Sequence, residues 1–206
     1  NDKLGGSDPY SASKVCAEFL FSSYIRSYFE KNQKAVTVRA GNVIGGGDYS
    51  EDRLIPDIFR FYNRKKNIYL RNPFSVRPWQ HVLEPLSGYL SLAERVYNRN
   101  FKKLTPNWNF GPNLSSCKSV KYIANYFSKP LNLKVISKKN NNNTFKPETS
   151  ILRLSNFKAK KYLGWKPRWT LNESLDKIIE WNRLIKKEKT LNVCEEQIIS
   201  FENKNN

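Results

Sequence analysis

Length, composition and charge limit what this chain can be. It has 206 residues, 39% of them hydrophobic and 14% aromatic, which is enough for a folded core and unlike a disordered segment. Its formal net charge of +18 comes from 36 basic and 18 acidic residues. Because the basic residues are spread along the whole chain, we expect attraction of a small anionic substrate and not nucleic acid binding.

The sequence also lacks the signals of membrane and secreted proteins. It contains no apolar run of about 18 residues and no basic segment followed by an apolar one. Cys16, Cys117 and Cys194 form no CxxC pair, a pattern typical of reduced thiols and not of a disulfide frame or a zinc site. We therefore expect a soluble cytoplasmic protein without a bound metal.

The first predicted element is a helix over 10–30. Asp8 can cap its N-terminus and Pro9 suits its first turn. Its apolar residues cover more than one stripe, which predicts burial by a parent domain on one side and by a partner helix on the other. A β-branched run predicts a strand over 35–41, and the glycine-rich stretch over 42–52 is predicted to be a loop.

The rest of the chain continues to alternate between helices and strands. The apolar periodicity predicts helices over 54–65, 84–98, 117–128 and 171–187, and strands over 67–71, 79–84, 107–111 and 133–137. The stretch 151–165 predicts a strand followed by a short helix that Gly164 ends. This alternation makes the predicted fold class α/β.

Tyr10 and Lys14 form a candidate catalytic pair at the start of the first helix. The same spacing recurs at Tyr62 and at Tyr162, so the spacing alone carries no weight. At Tyr10, however, three small residues follow the tyrosine and leave room for a flat ring. Residues i and i+4 share a helix face, so the Lys14 ammonium can favour the phenolate that a tyrosine base requires. An ordinary capped helix remains the alternative.

An ordered series of motifs follows this pair. "PYSASK" is succeeded by "VRAGNVIGGGD", "EDRLIPDI", "RPWQHVLEPLSGYL", "WNFGP" and "KKYLGWKPRW". From about residue 5 to residue 185 this series resembles the extended short-chain dehydrogenase/reductase family, and within it the sugar-nucleotide 4,6-dehydratases. The resemblance implies a Rossmann-type NAD-binding domain continued by residues 1–50, and a small α/β substrate-binding lobe mainly within 51–185. Residues 186–206 are a tail without a counterpart.

The resemblance also implies roles for individual residues. Tyr10 would take the proton of the sugar 4-hydroxyl, Lys14 would hold the ribose of NAD, and Val43 would lie near that cofactor. The remaining predicted contacts are with the sugar nucleotide: Asn42 and Arg77 at the diphosphate, Arg53 and Leu54 at the nucleotide, Ile68, Tyr69 and Leu70 at the base, and Glu148 at the nucleotide.

Several wider expectations follow from the resemblance. The glycine-rich turn that binds the NAD pyrophosphate is missing, so we expect a C-terminal fragment that is inactive alone. Such a protein would be a homodimer through the Tyr10–Lys14 helix. The stretch "GNVIGGGD" over 41–48 is expected to form a substrate-side turn, and His81 is expected to be structural. Two alternatives stay open: another NAD-dependent epimerase or dehydratase that uses a different nucleotide, and a basic non-catalytic binding domain.

Overall fold

The computed structural model describes residue 5 and residues 8–30, 34–98, 106–137 and 150–204. In these ranges the helices are α1 (Pro9–Tyr28), α2 (Leu54–Asn63), α3 (Leu83–Tyr97), α4 (Val120–Leu131), α5 (Phe157–Leu163), α6 (Leu171–Leu184) and α7 (Thr190–Glu202). The strands are β1 (Thr37–Ala40), β2 (Asn42–Ile44), β3 (Ile68–Leu70), β4 (Val76–His81), β5 (Asn107–Phe110), β6 (Cys117–Ser119) and β7 (Val135–Ser137).

The strands pair into three small sheets in which parallel pairing prevails. β1 pairs with β5, and β3 pairs with β7, both in parallel. The third sheet has the order β2-β4-β6, with β4 parallel to β2 and antiparallel to β6. Parallel strands need crossover connections, which the helices supply here. The α/β class predicted from the sequence is therefore confirmed.

Two clusters of buried side chains hold the elements together. The larger one packs α2, α4 and α6 against β3 and β4, with Ile58, Phe127 and Leu175 fully buried at its centre. The smaller one packs α3 and α5 against β5. In it the rings of Phe110 and Trp165 meet edge to face, with their centroids 5.1 Å apart.

Strand pairing overrides the local pattern at two places. The predicted loop over 42–52 begins with β2, because Asn42–Ile44 pairs with Trp79–His81 of β4. The predicted helix over 117–128 begins with β6 instead, because Cys117–Ser119 pairs with the start of β4. Both segments owe their extended conformation to a partner far away in the sequence, which local propensity does not encode.

Helix α1 has no buried residue, although its sequence predicts burial on two sides. It is joined to β1 through Glu18, which accepts hydrogen bonds from Thr37 at 3.1 Å and from Arg39 at 2.9 Å. Phe19 and Leu20 nevertheless remain 61% and 62% exposed. Within the described residues nothing covers this apolar surface of α1.

The C-terminal tail, residues 186–206, contains α7. Arg168, in the turn before α6, donates from its guanidinium to the carbonyls of Phe201 and Glu202, each at 3.1 Å. These bonds satisfy carbonyls at the end of α7 that have no partner within the helix. Gln197 of α7 donates to the carbonyl of Lys177 in α6 at 2.7 Å. The tail is therefore docked on α6 and on the turn that precedes it.

The buried carboxylate of Glu84 holds the turn on which α7 rests. Glu84 lies in the first turn of α3 and is 1% exposed. Its Oε1 accepts the backbone N–H of Trp169 at 2.7 Å, and its two oxygens accept the N–H of Arg168 at 3.1 and 3.0 Å. Burial raises the pKa of Glu84, and these N–H donors act in the opposite direction. One carboxylate thus joins α3 to the segment that leads into α6.

We expect the Glu84→Ala substitution to lower the free energy of unfolding by about 3 kcal/mol, because it leaves buried N–H groups without an acceptor. Urea denaturation followed by tryptophan fluorescence measures this loss. Glu94→Ala is the matched control, since Glu94 lies exposed on the same helix and should change stability little. Equal effects of the two substitutions would contradict the role of Glu84.

Candidate active site

A cavity of about 850 Å³ gathers most of the residues that the sequence selects. It is bordered by α1, β1, β2, α2, β3, β4 and the segment 152–154. Nine of the predicted site residues line it: Tyr10, Asn42, Val43, Arg53, Leu54, Ile68, Tyr69, Leu70 and Arg77. Lys14 does not line the cavity, and its Nζ lies 5.4 Å from the centroid of the Tyr10 ring. Glu148 lies outside the described residues.

The position of Tyr10 depends on the cap of α1. Asp8 accepts the backbone N–H of Ser11 at 2.9 Å and the Ser11 hydroxyl at 2.6 Å. These two hydrogen bonds, that of the hydroxyl first, hold the pKa of Asp8 below its ordinary value. Tyr10 therefore stands in the first turn of the helix, where its side chain is 69% exposed. A ligand in the cavity could reach the phenol without displacing other side chains.

β2 and β4 set the floor of the cavity. Asn42 is paired with Trp79 and Val43 with Gln80, so the backbone register places both β2 residues beside β4. A Cβ on Gly41 would lie only 2.5 Å from the carbonyl oxygen of Pro78, so only glycine allows this close approach. The side chains of β2 alternate in exposure: Val43 is 41% exposed, whereas Ile44, the next residue of the strand, is buried.

The carboxylates around the cavity are already engaged. Asp57 forms an ion pair with Arg60. Asp52 forms an exposed ion pair with Arg71 at 3.2 Å. Asp48 accepts the backbone N–H of Ser50 at 2.9 Å. Because these aspartates are already bound to other groups, they neutralise only part of the positive charge of the arginines around the cavity.

Four arginines line the same cavity: Arg53, Arg71, Arg77 and Arg153. Arg77 donates from Nη1 of its guanidinium to the carbonyl of Val76 at 3.0 Å, which holds the guanidinium near the start of β4. The guanidinium groups of Arg53 and Arg153 form no hydrogen bond or ion pair with any other residue in the described ranges. The cavity is thus suited to a ligand with more than one negative charge.

An aromatic pair forms the apolar part of the lining. The rings of Phe61 in α2 and Tyr69 in β3 meet at 73° with their centroids 6.0 Å apart. Tyr69 remains 46% exposed and offers a surface for a flat ring.

Sequence reasoning missed three residues of the lining: Phe61, Arg71 and Arg153. In a chain with 12 phenylalanines and 36 basic residues, no local pattern singles them out.

The glycine-rich loop, which the sequence predicts to be a substrate-side turn, borders the cavity on both sides of Gly46 and Gly47. Gly45 lines the cavity, whereas Gly46 and Gly47 do not. A Cβ on Gly46 would overlap the indole of Trp181, and Gly47 has a positive φ of 79° beside the same ring. These two glycines make room for a tryptophan of α6, and Asp48 after them lines the cavity again. That the loop binds substrate stays a prediction.

His81 lies at the end of β4 and away from the cavity lining, which agrees with its prediction as a structural residue. It is 1% exposed, and its Nδ1 accepts the backbone N–H of Leu83 at 3.3 Å. Its ring meets that of Trp169 with the centroids 4.8 Å apart. Burial, and to a smaller degree the charge of Lys177, lower the pKa of His81 to about 4. The imidazole is therefore neutral near pH 7.

Among the described residues, no three histidine, cysteine, aspartate or glutamate side chains are grouped closely enough to hold a metal ion. No helix in these ranges combines the length and the apolar character needed to cross a membrane. The functional groups that line the cavity include phenols, amides, carboxylates and guanidinium groups.

Known proteins share both the sequence and the fold. Residues 1–103 match the model of the NAD dependent epimerase/dehydratase family. The chain is 42% identical to the CDP-glucose 4,6-dehydratase of Salmonella typhimurium strain LT2 over 97% of its own length and 57% of that protein. It is also 25% identical to an uncharacterised protein of Schizosaccharomyces pombe, of which it covers 54%. The chain thus spans about half the length of the curated relatives it matches.

Solved structures resemble the fold at lower sequence identity. The dTDP-glucose 4,6-dehydratase of Bacillus anthracis, solved in complex with NAD, has a TM-score of 0.71 and 20% identity, over 91% of this chain and 55% of that one. Pal from Bacillus thuringiensis has a TM-score of 0.73 and 18% identity, over 89% of this chain and 56% of that one.

These neighbours define the class of the fold, which is that of the Rossmann-type extended short-chain dehydrogenases/reductases. Within that class, the chain belongs to the NAD dependent epimerase/dehydratase family. The resemblance inferred from the ordered motifs is therefore confirmed at the level of the family.

The low pKa of His81 predicts a pH-dependent stability. In the unfolded chain a histidine binds its proton near pH 6.5, whereas the folded His81 does so near pH 4. Stability should therefore fall as the pH is lowered from 6.5 to 4, by up to about 3 kcal/mol. Urea denaturation at several pH values measures this slope. His81→Gln should remove it, because His81 is the only histidine of the chain. Identical slopes for the wild type and for His81→Gln would contradict the assignment of the pH dependence to His81.

Proposed function

We propose that this chain forms the substrate-binding and Tyr–Lys part of a cytoplasmic CDP-glucose 4,6-dehydratase. The reaction would convert CDP-D-glucose to CDP-4-dehydro-6-deoxy-D-glucose with bound NAD. The observation that carries the proposal is 42% identity to the Salmonella enzyme of that name across 97% of the chain. Because the chain spans 57% of that relative, turnover is proposed for the chain together with an NAD-binding unit.

The diphosphate of the substrate would bind at the start of β4. Arg77 can offer a planar fork of N–H donors, and Asn42 on the neighbouring strand can donate from its amide. Arg53 precedes α2 and has no competing partner among the described residues. A diphosphate would thus exchange part of its hydration for three side chains that lie around one cavity.

The base of the nucleotide would lie against the apolar lining. Ile68 and Leu70 are buried at 1% and 2% exposure, while Tyr69 between them is exposed. Phe61 holds the Tyr69 ring in an edge-to-face contact. Leu54 borders the same cavity. A planar base could stack on Tyr69 without opening the core beneath it.

The described residues fit the nicotinamide end of NAD. Tyr10 and Val43 are exposed at the same cavity, and Lys14 lies over the Tyr10 ring. When bound, NAD would supply the hydride acceptor for sugar C4 and the donor for C6. The Tyr10 phenolate oxygen would take the proton of the 4-hydroxyl, and Lys14 would favour that ionised form and hold the ribose hydroxyls.

The exposed surface of α1 would pair with a second copy of the chain. At about 100° per residue, Leu20, Tyr24 and Tyr28 share one side of the helix, and the small residues around them allow close approach. Glu18 and Arg26 lie on other sides, whereas Lys14 lies at the edge of this one, beside Tyr28. A mainly apolar helix surface of this size, left exposed by the described residues, favours a homodimer.

Replacement of the proposed base tests the activity. The assay uses this chain joined to the part of the Salmonella relative that it does not match, with NAD and CDP-glucose. We expect Tyr10→Phe to lower kcat by about 100-fold or more and to leave CDP affinity unchanged. Tyr162→Phe is the matched control, because Tyr162 also stands four residues before a lysine but does not line the cavity. Full activity of Tyr10→Phe would contradict the proposal.

The same assay separates the alternatives. Lack of a 4-keto product from CDP-glucose would refute the proposed substrate. Product formed instead from dTDP-glucose or GDP-mannose would favour a related enzyme with another nucleotide. A basic binding domain would show strongly salt-dependent binding to DNA and no turnover of any sugar nucleotide.

A charge placed within the α1 surface tests the dimer. We expect Leu20→Glu to shift the protein from dimer to monomer in sedimentation velocity, because the new carboxylate would lose its hydration on pairing. Arg26→Glu introduces the same charge on another side of α1 and should leave the dimer intact. A wild-type monomer, or a dimer unaffected by Leu20→Glu, would contradict the α1 interface.

A further inference from the structure

The segment Ser150–Leu154 is held beside β4. The backbone N–H of Val76 donates to the carbonyl of Ser150 at 2.8 Å, and the N–H of Leu152 donates to the carbonyl of Val76 at 3.0 Å. Val76 and Ile151 form a parallel bridge between these bonds. Continued in the same direction, this register brings Leu152 level with Arg77 and the next residue, Arg153, one step beyond it.

The far end of this segment is also fixed. A Cβ on Gly111, which follows β5, would lie 2.6 Å from the carbonyl oxygen of Leu154, so the two backbones are in close contact. Asn156 then donates from its amide to the carbonyls of Gly111 and Pro112, at 2.9 and 3.2 Å. Arg153 therefore stands between two anchored points of the backbone, which fix the place from which its side chain enters the cavity lining.

The surroundings place the charge of Arg153 near the start of β4. Arg153 lines the cavity. Its charge reaches Cys117 of β6, which pairs with Pro78: burial raises the pKa of the Cys117 thiol, and Arg153 opposes that rise. No described carboxylate is paired with the guanidinium. Arg71 differs in this respect, because Asp52 already binds it at 3.2 Å.

We propose that Arg153 is a second phosphate-binding residue of the cavity, which takes the diphosphate of the nucleotide sugar together with Arg77. The proposal rests on the proposed function, since it requires a nucleoside diphosphate ligand. A diphosphate ester carries two negative charges, and one planar guanidinium matches the oxygens of one phosphate. Two arginines that line the same cavity can therefore hold both phosphates at once.

Binding to the intact chain tests this role, with inorganic pyrophosphate, CDP and cytidine as probes in isothermal titration calorimetry. We expect Arg153→Gln to weaken pyrophosphate and CDP by about tenfold or more and to leave cytidine unchanged. Arg153→Lys should recover part of the loss, because it keeps the charge and loses the fork. Arg183→Gln removes the same charge from α6, outside this cavity, and should change all affinities less than about twofold.

The outcomes separate this inference from the proposed function. If wild type binds CDP and Arg153→Gln binds it equally well, the role of Arg153 is overturned and the proposed substrate stands. If Arg153→Gln weakens pyrophosphate binding but the wild type binds CDP no more tightly than pyrophosphate, the role of Arg153 stands and the proposed cytidine nucleotide is overturned. If the wild type binds neither pyrophosphate nor CDP, the role of Arg153 and the proposed substrate are both overturned. Urea denaturation of Arg153→Gln verifies that a loss of binding does not come from unfolding.

Discussion

Strand β4 is the constraint on which the other parts of the structure depend. Its second half pairs with β2, its first half pairs with β6, and Val76 also bonds to the segment 150–152. Its Gln80 side chain joins two sheets by donating to the carbonyl of Phe110 in β5 at 2.8 Å. Its Trp79 side chain donates to the carbonyl of Lys118 in β6, within the same sheet, at 2.9 Å. A strand held in this way gives Arg77 a defined place.

Side chains of the C-terminal part of the chain also pack against β4 and β2. The ring of Trp169 packs on His81 at the end of β4, and on its other side it meets Phe201 of α7. Trp181 of α6 fills the space that the glycines after β2 leave open. Packed interiors transmit such contacts, since they have few voids in which a neighbour could relax. The tail is therefore connected to the end of β4 through Trp169, although none of the described tail residues lines the cavity.

Local pairing, and not overall composition, decides the electrostatics of the cavity. The excess of basic residues indicates an anionic partner but does not say which of the 36 basic residues would meet it. Arg60 and Arg71 are occupied by Asp57 and Asp52. Such exposed pairs contribute little to stability. With these carboxylates occupied, the guanidinium groups of Arg53 and Arg153 have no protein partner among the residues described around the cavity.

The sequence by itself determined the features that depend on neighbouring residues. Asp8 and Pro9 start α1, Gly164 ends α5 in a left-handed conformation, and the small residues after Tyr10 distinguish that tyrosine from the two others with the same spacing. Caps, turns and helix faces involve groups only a few residues apart, so a short stretch of sequence encodes them. The succession of motifs then indicated the family, which the comparisons confirm.

Only the tertiary structure decided the features that join distant residues. The strand at Asn42–Ile44, the fit of Trp181 against Gly46 and the placement of Arg153 beside β4 each depend on a partner between about 35 and 135 residues away. An extended backbone gains its hydrogen bonds, and a glycine its packing partner, from whichever segment the fold brings near. For this reason local sequence patterns predicted the Tyr10 pair but not the full set of charges around it.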